Sequence, residues 1–277
     1  QVLSEAAFES GSQVIAASHS EVLLEEAAQR DAVVAFLGRP HRIDKGPAQV
    51  MKSLREIGFD QYYLAEQKGW VLYLEGSTDL AILRGFADVL KHPAKDALEQ
   101  PFVHYVGNQP PKARDHFHGL REAKPDLKGL AIYDRLDREL PSDEYFRQVQ
   151  WKRREIENYL CFRDVLLDYA AKQAERVAGD LFREVWRDEM AKSIEELEEA
   201  LKSLDKPDPW SGDLKVSDEF LSPLLKKFAQ KTGYPVSSSK ADFHELARYV
   251  RPEQIDPEVK DVLDQIVETE QKAQARG

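Results

Sequence analysis

The chain has 277 residues, of which 42% are hydrophobic, and this is enough to bury one large core or two modest ones. Lys and Arg number 39 against 50 Asp and Glu, so the formal net charge of -11 argues against a protein that binds nucleic acid through overall positive charge. A local basic groove remains compatible with acids that are gathered into a metal site. The single cysteine, Cys161, excludes a disulfide framework within the chain, and no run approaches the roughly 18 apolar residues of a membrane span, so we expect a cytoplasmic protein without membrane contact.

The first forty residues predict a strand, a helix and a second strand. Residues 13–20 (QVIAASHS) form a short apolar run, EVLLEEAAQ has helical spacing, and residues 32–38 (AVVAFLG) form another apolar run. This alternation is typical of a βαβ unit. Because the chain starts within an apparent helix, we expect it to be part of a longer protein.

The stretch from residue 71 to residue 160 predicts a mostly parallel sheet flanked by helices. Apolar runs VLYLE, FVHYV and KGLAIYD alternate with helical patterns, and YFRQVQ has the alternation of an edge or antiparallel strand. From about 162 to 230 the pattern is helical and highly charged, which indicates an inserted or appended helical domain. Residues 237–250 (SSSKADFHELARYV) begin as a well-capped helix, and one more helix follows from 257.

Four carboxylates fall where these strands end. Glu75 closes one predicted strand and Asp79 opens the following helix, while Asp134 closes a later strand and Asp137 follows in the same loop. Ligands of open parallel sheets bind outside the carboxyl ends of the strands, and clustered carboxylates suit Mg²⁺ or Mn²⁺. The structural alternatives are a helix-capping role for Asp79 and ordinary turns for Asp134 and Asp137.

LEGSTD and IYDRLD together resemble the Toprim fold, in which a strand ends in Glu-Gly, an Asp opens the next helix and a later strand ends in Asp-x-Asp. Glu75, Gly76, Asp79 and Asp134 match this pattern. Leu136 occupies the position of the second aspartate, and Asp137 lies one residue later.

Two further stretches resemble nucleases of the OLD (overcoming lysogenization defect) family. WKRREIENYL is similar to the segment that follows their acidic strands, and QVIAASHSEVL is similar to the closing strand and switch histidine of the ABC-type ATPase that precedes their Toprim domain. The resemblance implies an ATPase remnant at residues 1–43, a Toprim core at 44–161, a helical domain at 162–232, and a return to the core with a C-terminal helix at 233–277. It also implies a metal-dependent DNA endonuclease that uses two-metal hydrolysis and acts in phage defence.

The resemblance assigns roles to the acids. Glu75 and Asp79 would hold one Mg²⁺ or Mn²⁺ ion, and Asp134 with Asp137 would hold a second or bridge the two. Glu155 and Glu157 are candidates for completing the metal shells, and Glu157 carries the Glu-Asn-Tyr match. The alternative for Glu155 is a surface ion pair with a neighbouring arginine.

Basic and hydroxyl residues would contact DNA. Lys240 lies in the first turn of a predicted helix, where the macrodipole disfavours a cation unless a phosphate or a nearby acid is present. The candidate phosphate contacts are Lys152, Arg153, Arg154, Ser238, Ser239 and Lys240.

The remaining expectations concern the longer protein. His19 resembles the ATPase switch histidine, and ATP would be used only by the full-length protein, because this chain has no phosphate-binding glycine loop. The resemblance also implies a homodimer formed through the ATPase domain, and a helicase partner.

Two other functions are compatible with the same residues. One is a Mg²⁺-dependent phosphotransfer or phosphatase domain with Asp134 as nucleophile. The other is a Toprim scaffold without catalysis that recruits partners through its helical region.

Overall fold

The computed structural model describes residues 10–15, 34–35, 41–42, 58–233 and 240–274. No helix in these ranges is long and apolar enough to cross a membrane. His19, Ser238 and Ser239 lie outside the described residues, as does most of the predicted βαβ unit at residues 13–38. The backbone of Lys240 is described, whereas its side chain is not.

The chain divides into two compact units. One comprises Gln1–Gly69 with Arg114–Leu127, and the other comprises Trp70–Ala113 with Lys128–Gly277. The strands are β1 (Val34–Ala35), β2 (His41–Arg42), β3 (Trp70–Leu74), β4 (Val103–Tyr105), β5 (Lys128–Tyr133) and β6 (Phe146–Gln150). The α-helices are α1 (Phe59–Lys68), α2 (Ser77–Leu90), α3 (Ala94–Glu99), α4 (Pro110–Ala123), α5 (Arg163–Val177), α6 (Arg183–Ser203), α7 (Ser222–Thr232) and α8 (Pro257–Gln274). Tighter 3₁₀ turns lie at Ile156–Tyr159, Asp180–Phe182, Lys240–Tyr249 and Pro252–Gln254, and a π-helical turn lies at Ser217–Leu221.

The first unit holds a short antiparallel pair, in which Val34 is opposite Arg42 in β1 and β2. Its helix α1 carries Tyr62, whose hydroxyl donates to the Glu66 carboxylate at 2.8 Å. The other oxygen of Glu66 lies 3.7 Å from the Lys124 ammonium. These contacts link α1 to the end of α4 within this unit.

The second unit is built on a four-stranded parallel sheet in the order β4-β3-β5-β6. All residues of β3 and β5 are buried, as expected for parallel strands that are covered on both faces. The α/β class with a parallel sheet flanked by helices is therefore confirmed. Strand β6 lies at an edge, which is one of the two predicted alternatives. It is not the antiparallel strand of the other alternative, because it runs parallel to β5 from Gly129 opposite Phe146 to Tyr133 opposite Gln150.

The strand order has a topological switch point between β3 and β5, and we call the space outside the carboxyl ends of these two strands the crevice. The chain leaves β3 towards β4 on one side, whereas it leaves β5 towards β6 on the other. Neighbouring strands whose connections run in opposite directions leave room at their carboxyl ends, which is where ligands bind in open α/β sheets. Glu75 and Asp134 are the residues that follow β3 and β5.

Residues 162–232 are helical, as predicted, and they contain no strand. Helices α5, α6 and α7 pack through an apolar seam that includes Met190, Ile194 and an edge-on contact between Trp186 and Phe228 with ring centroids 5.7 Å apart. This helical region belongs to the same compact unit as the sheet.

Helix α2 packs closely against the 3₁₀ segment that begins at Lys240. A Cβ atom at Gly85 would lie 2.6 Å from the Cβ of Ala247 and 3.6 Å from the carbonyl oxygen of His244. The glycine therefore permits the close approach of the two elements.

We expect Gly85→Ala to lower the free energy of unfolding by on the order of 1 kcal/mol, because overpacking of about 1–3 kcal/mol exceeds the helix-propensity gain of about 1 kcal/mol. The double variant Gly85→Ala with Ala247→Gly removes the clashing methyl group and should recover part of the loss. Urea unfolding of the single and double variants measures this coupling. Equal losses in both would contradict the packing argument.

Candidate functional site

The turn between β3 and α2 brings two carboxylates together. Gly76 is the N-cap residue of α2, and the Asp79 side chain folds back over the turn. Its Oδ2 atom accepts hydrogen bonds from the backbone N–H of Glu75 at 2.9 Å and of Gly76 at 3.4 Å. Asp79 thus caps the helix, which was the structural alternative to metal binding. The same hydrogen bonds hold its carboxylate beside Glu75.

Asp79 occupies an environment that disfavours its charge. The pKa of Asp79 is raised from 3.8 to about 7, chiefly by burial and also by the Glu75 charge, against the opposing effect of the backbone N–H donors. Close to neutral pH, the turn therefore holds a proton that an exposed aspartate would have lost.

Asp134 meets the same pair from the neighbouring strand. The register pairs Tyr73 with Ala131, so the residues that follow β3 and β5 emerge side by side. The pKa of Asp134 is raised to about 9, chiefly by burial and also by repulsion from Glu75 and a hydrogen bond between the two carboxyl groups. The charges of Asp79 and Glu157 act in the same direction. At neutral pH the two carboxyl groups therefore share a proton in one hydrogen bond.

Glu157 adds an acid from a third segment of the chain. It lies in the 3₁₀ turn Ile156–Tyr159 after β6, and it is only 7% exposed. We call Glu75, Asp79, Asp134 and Glu157 the carboxylate cluster.

Asp137 lies apart from this cluster. It is exposed, and it is not among the charges that raise the pKa of Asp134. The loop is tied to the end of β6, where the Leu136 N–H donates to the side chain of Gln150 at 2.7 Å. The role of Asp137 as a metal ligand stays a prediction, and the structure does not bring it together with the other acids.

Glu155 contacts the helical region. One carboxylate oxygen accepts from the Ser217 N–H at 2.6 Å, and the other accepts from the Ser217 hydroxyl at 3.0 Å. Nearby, the Asn158 amide donates to the Leu214 carbonyl at 3.1 Å, and its oxygen accepts from the Glu155 N–H at 3.0 Å. Glu155 is 2% exposed, which differs from the predicted surface ion pair. Both of its oxygens serve a structural contact instead of lying open to a metal.

The three predicted DNA-binding residues after β6 differ in their surroundings. Lys152 and Arg154 are exposed. The Arg153 guanidinium lies 4.8 Å from the centre of the Tyr159 ring and bonds the Asp256 carboxylate at 3.3 Å. Arg153 therefore ties the turn to the segment before α8, whereas Lys152 and Arg154 project into solvent.

Lys215 is a cation near the cluster that no sequence motif indicated. Its ammonium bonds the Asp218 carboxylate at 3.0 Å. This hydrogen bond raises the pKa of Lys215, burial opposes the effect, and the charges of Glu155 and Glu75 add to it. The only signal in the sequence is a lysine between two apolar residues, Leu214 and Val216, which is too common a pattern to identify a site.

Tyr105 is an exposed aromatic residue at the same edge of the sheet. It ends β4 and is 46% exposed. The next residues are fixed to the β3 turn, because the Val106 N–H donates to the Leu74 carbonyl at 2.9 Å and the Gly107 N–H donates to the Glu75 carbonyl at 3.2 Å. The ring thus lies beside the crevice, where it could stack on a planar group.

The chemistry of the cluster fits a hard cation. No group of three or more His, Cys, Asp and Glu side chains among the described residues is arranged to hold a metal ion. The oxygen donors are nevertheless of the type that Mg²⁺ and Mn²⁺ prefer, and their mutual repulsion is relieved by a proton between Asp134 and Glu75. A cation that displaced this proton would relieve the same repulsion.

The raised pKa values predict how stability depends on pH. In the unfolded chain Asp79 and Asp134 lose their protons near pH 3.8, whereas in the folded chain they keep them up to about pH 7 and about pH 9. Between these limits the folded state binds more protons, so the free energy of unfolding falls as pH rises from 5 to 8.

Urea unfolding of the parent and of Asp134→Asn across this range measures the effect. The variant should be the more stable at pH 8, by at least about 1.4 kcal/mol, the equivalent of one pKa unit, and the difference should shrink towards pH 5. Comparing the two proteins cancels the contribution of His104, whose pKa is lowered by burial and which acts in the opposite direction. A difference that does not depend on pH would contradict the shared proton.

Comparison with known proteins identifies no relative of this chain. No protein-family model matches the chain, and no curated protein or solved structure matches it significantly. The resemblance to the Toprim fold therefore rests on the motifs LEGSTD and IYDRLD, and the resemblance to the OLD family rests on WKRREIENYL and QVIAASHSEVL.

Proposed function

We propose that this chain is the nuclease part of an ATPase-nuclease, a Toprim-type DNA endonuclease that hydrolyses phosphodiester bonds with Mg²⁺ or Mn²⁺. One observation carries the proposal. The carboxylate cluster gathers Glu75, Asp79, Asp134 and Glu157 from three separate segments at the crevice of a parallel sheet. All four acids lie in sequence motifs that carry the resemblance.

The cluster carries a cost that a purely structural role does not explain. Burying mutually repelling carboxylates destabilises a fold unless a proton or a cation offsets the charge. Perturbed acids of this kind gather at functional sites, where the unfavourable arrangement serves the chemistry. Here they also lie at the place in the topology where ligands of such sheets bind.

The cluster residues would hold one or two ions through their oxygen atoms. Ions bound there supply Lewis-acid polarisation of the phosphate and activation of water. Asp79 keeps its carboxylate at the crevice through its bonds to the turn, and Asp134 must release its proton before it can act as a ligand. Lys152 and Arg154 offer exposed positive charge for the DNA backbone, and Lys240 remains the proposed phosphate contact from the last part of the chain.

The two alternative functions have less support. A phosphatase or phosphotransferase with Asp134 as nucleophile would not account for the Glu-Gly and Glu-Asn-Tyr motifs around Glu75 and Glu157. A scaffold without catalysis gives no reason for four acids in one crevice.

The first test is cleavage of supercoiled plasmid with Mg²⁺ or Mn²⁺. A metal ligand supplies several kcal/mol of transition-state stabilisation, so we expect Glu75→Gln and Asp134→Asn to lower the cleavage rate by at least about 100-fold. Lys240→Ala should also lower it. Asp137→Asn is the matched control, since it removes an exposed carboxylate from the same loop as Asp134 and should retain most of the activity. Equal cutting by the parent and the Glu75 and Asp134 variants would refute the assignment.

A second test detects the metal without catalysis. Because protons and cations compete for the same carboxylates, we expect Mn²⁺ to raise the unfolding temperature at pH 8 more than at pH 5. Glu75→Gln should abolish the increase, while Asp143→Asn, a change in an exposed carboxylate outside the cluster, should preserve it. Differential scanning fluorimetry provides the measurement, and an increase that survives Glu75→Gln would place the metal elsewhere.

A further inference from the structure

The helical region sends one segment, residues 212–217, to the loops that carry the acids. Gly212 accepts a hydrogen bond from the Arg154 N–H at 2.7 Å, and Asp213 accepts one from the Arg135 guanidinium at 2.8 Å. Arg135 directly follows Asp134 in the chain. These bonds join the first half of the segment to the loops after β5 and β6.

The second half of the segment is fixed by the Glu-Asn-Tyr turn. Asn158 bonds the Leu214 carbonyl, and both oxygens of Glu155 bond Ser217. Leu214 and Val216 are 1% and 0% exposed, so their side chains are part of the core. The chain is therefore held on both sides of Lys215.

Lys215 is the exposed residue between these fixed and buried neighbours. Its neighbours are buried, whereas its own side chain is 42% exposed. The ammonium bonds Asp218 and lies within the electrostatic field of Glu75 and Glu155. An ammonium group has three donors, so it can keep the Asp218 carboxylate and still accept one anionic ligand.

We propose that Lys215 contacts a backbone phosphate of the nucleic acid strand that enters the carboxylate cluster, and that Glu155 and Asn158 are positioning residues for this contact. The inference rests on the proposed nuclease function. A polyanion approaching four carboxylates needs compensating positive charge close to them. Lys215 lies in a segment whose other residues bond the loops after β5 and β6, so its position beside these loops is fixed.

The test measures binding of a fluorescein-labelled DNA duplex by anisotropy at several KCl concentrations, with Ca²⁺ in place of Mg²⁺. Loss of one phosphate contact lowers the slope of log K against log salt by about 0.9, which corresponds to roughly eightfold weaker binding at 0.1 M salt. We expect this change for Lys215→Met, and near-parent values for Lys215→Arg, which keeps the charge. Lys192→Met is the matched control, because Lys192 also forms an ion pair with an acid three residues away in the helical region.

The Glu155 variants separate positioning from metal binding. Glutamine can still bond the N–H and hydroxyl of Ser217, so Glu155→Gln should keep the parent salt slope. Alanine cannot form these bonds, so Glu155→Ala should lower the slope as Lys215→Met does. The inference would be overturned if the salt slope stayed at the parent value in both Lys215→Met and Glu155→Ala. If the parent still cleaves plasmid with Mn²⁺ in that case, the proposed function stands. A parent that neither binds nor cleaves DNA would overturn both.

Discussion

The parallel pairing of β3 with β5 is the constraint on which the site depends. Because the two strands run in the same direction and in fixed register, Glu75 and Asp134 leave the sheet side by side. Neither acid can be moved away without a change of register, and a shift of one residue would turn every side chain of a fully buried strand to the opposite face. The repulsion between them is thus built into the sheet.

The surrounding layers intensify this repulsion. Helices and loops cover β3 and β5 completely, and the low dielectric constant of that environment makes each charge harder to maintain. The response of the folded chain is to keep protons on Asp134 and, near neutral pH, on Asp79. In the proposed chemistry, cations would take the place of these protons.

The helical region takes part in the site instead of being an independent attachment. The side chains of Glu155 and Asn158 bond Ser217 and Leu214. Arg135, in the loop after β5, bonds Asp213 of the same segment, residues 212–217. Tyr159 completes the turn by packing on Trp151 with ring centroids 4.9 Å apart. A stretch that the sequence suggested as a source of metal ligands is therefore chiefly a junction between the sheet and the helices, with Glu157 as its acid in the cluster.

The sequence by itself determined the α/β class, the strands around Glu75 and Asp134, and the helical nature of residues 162–232. These features follow from local patterns, since continuous apolar runs specify buried parallel strands and periodic charged runs specify helices. Only the tertiary structure decided which acids meet. Asp137 is one residue beyond the motif position yet lies outside the cluster, Glu155 faces Ser217, and Lys215 arrives from a segment with no motif at all. Such contacts depend on hydrogen bonds between residues that are distant in the sequence, for example Glu155 with Ser217, 62 positions away, and local periodicity carries no information about partners at that separation.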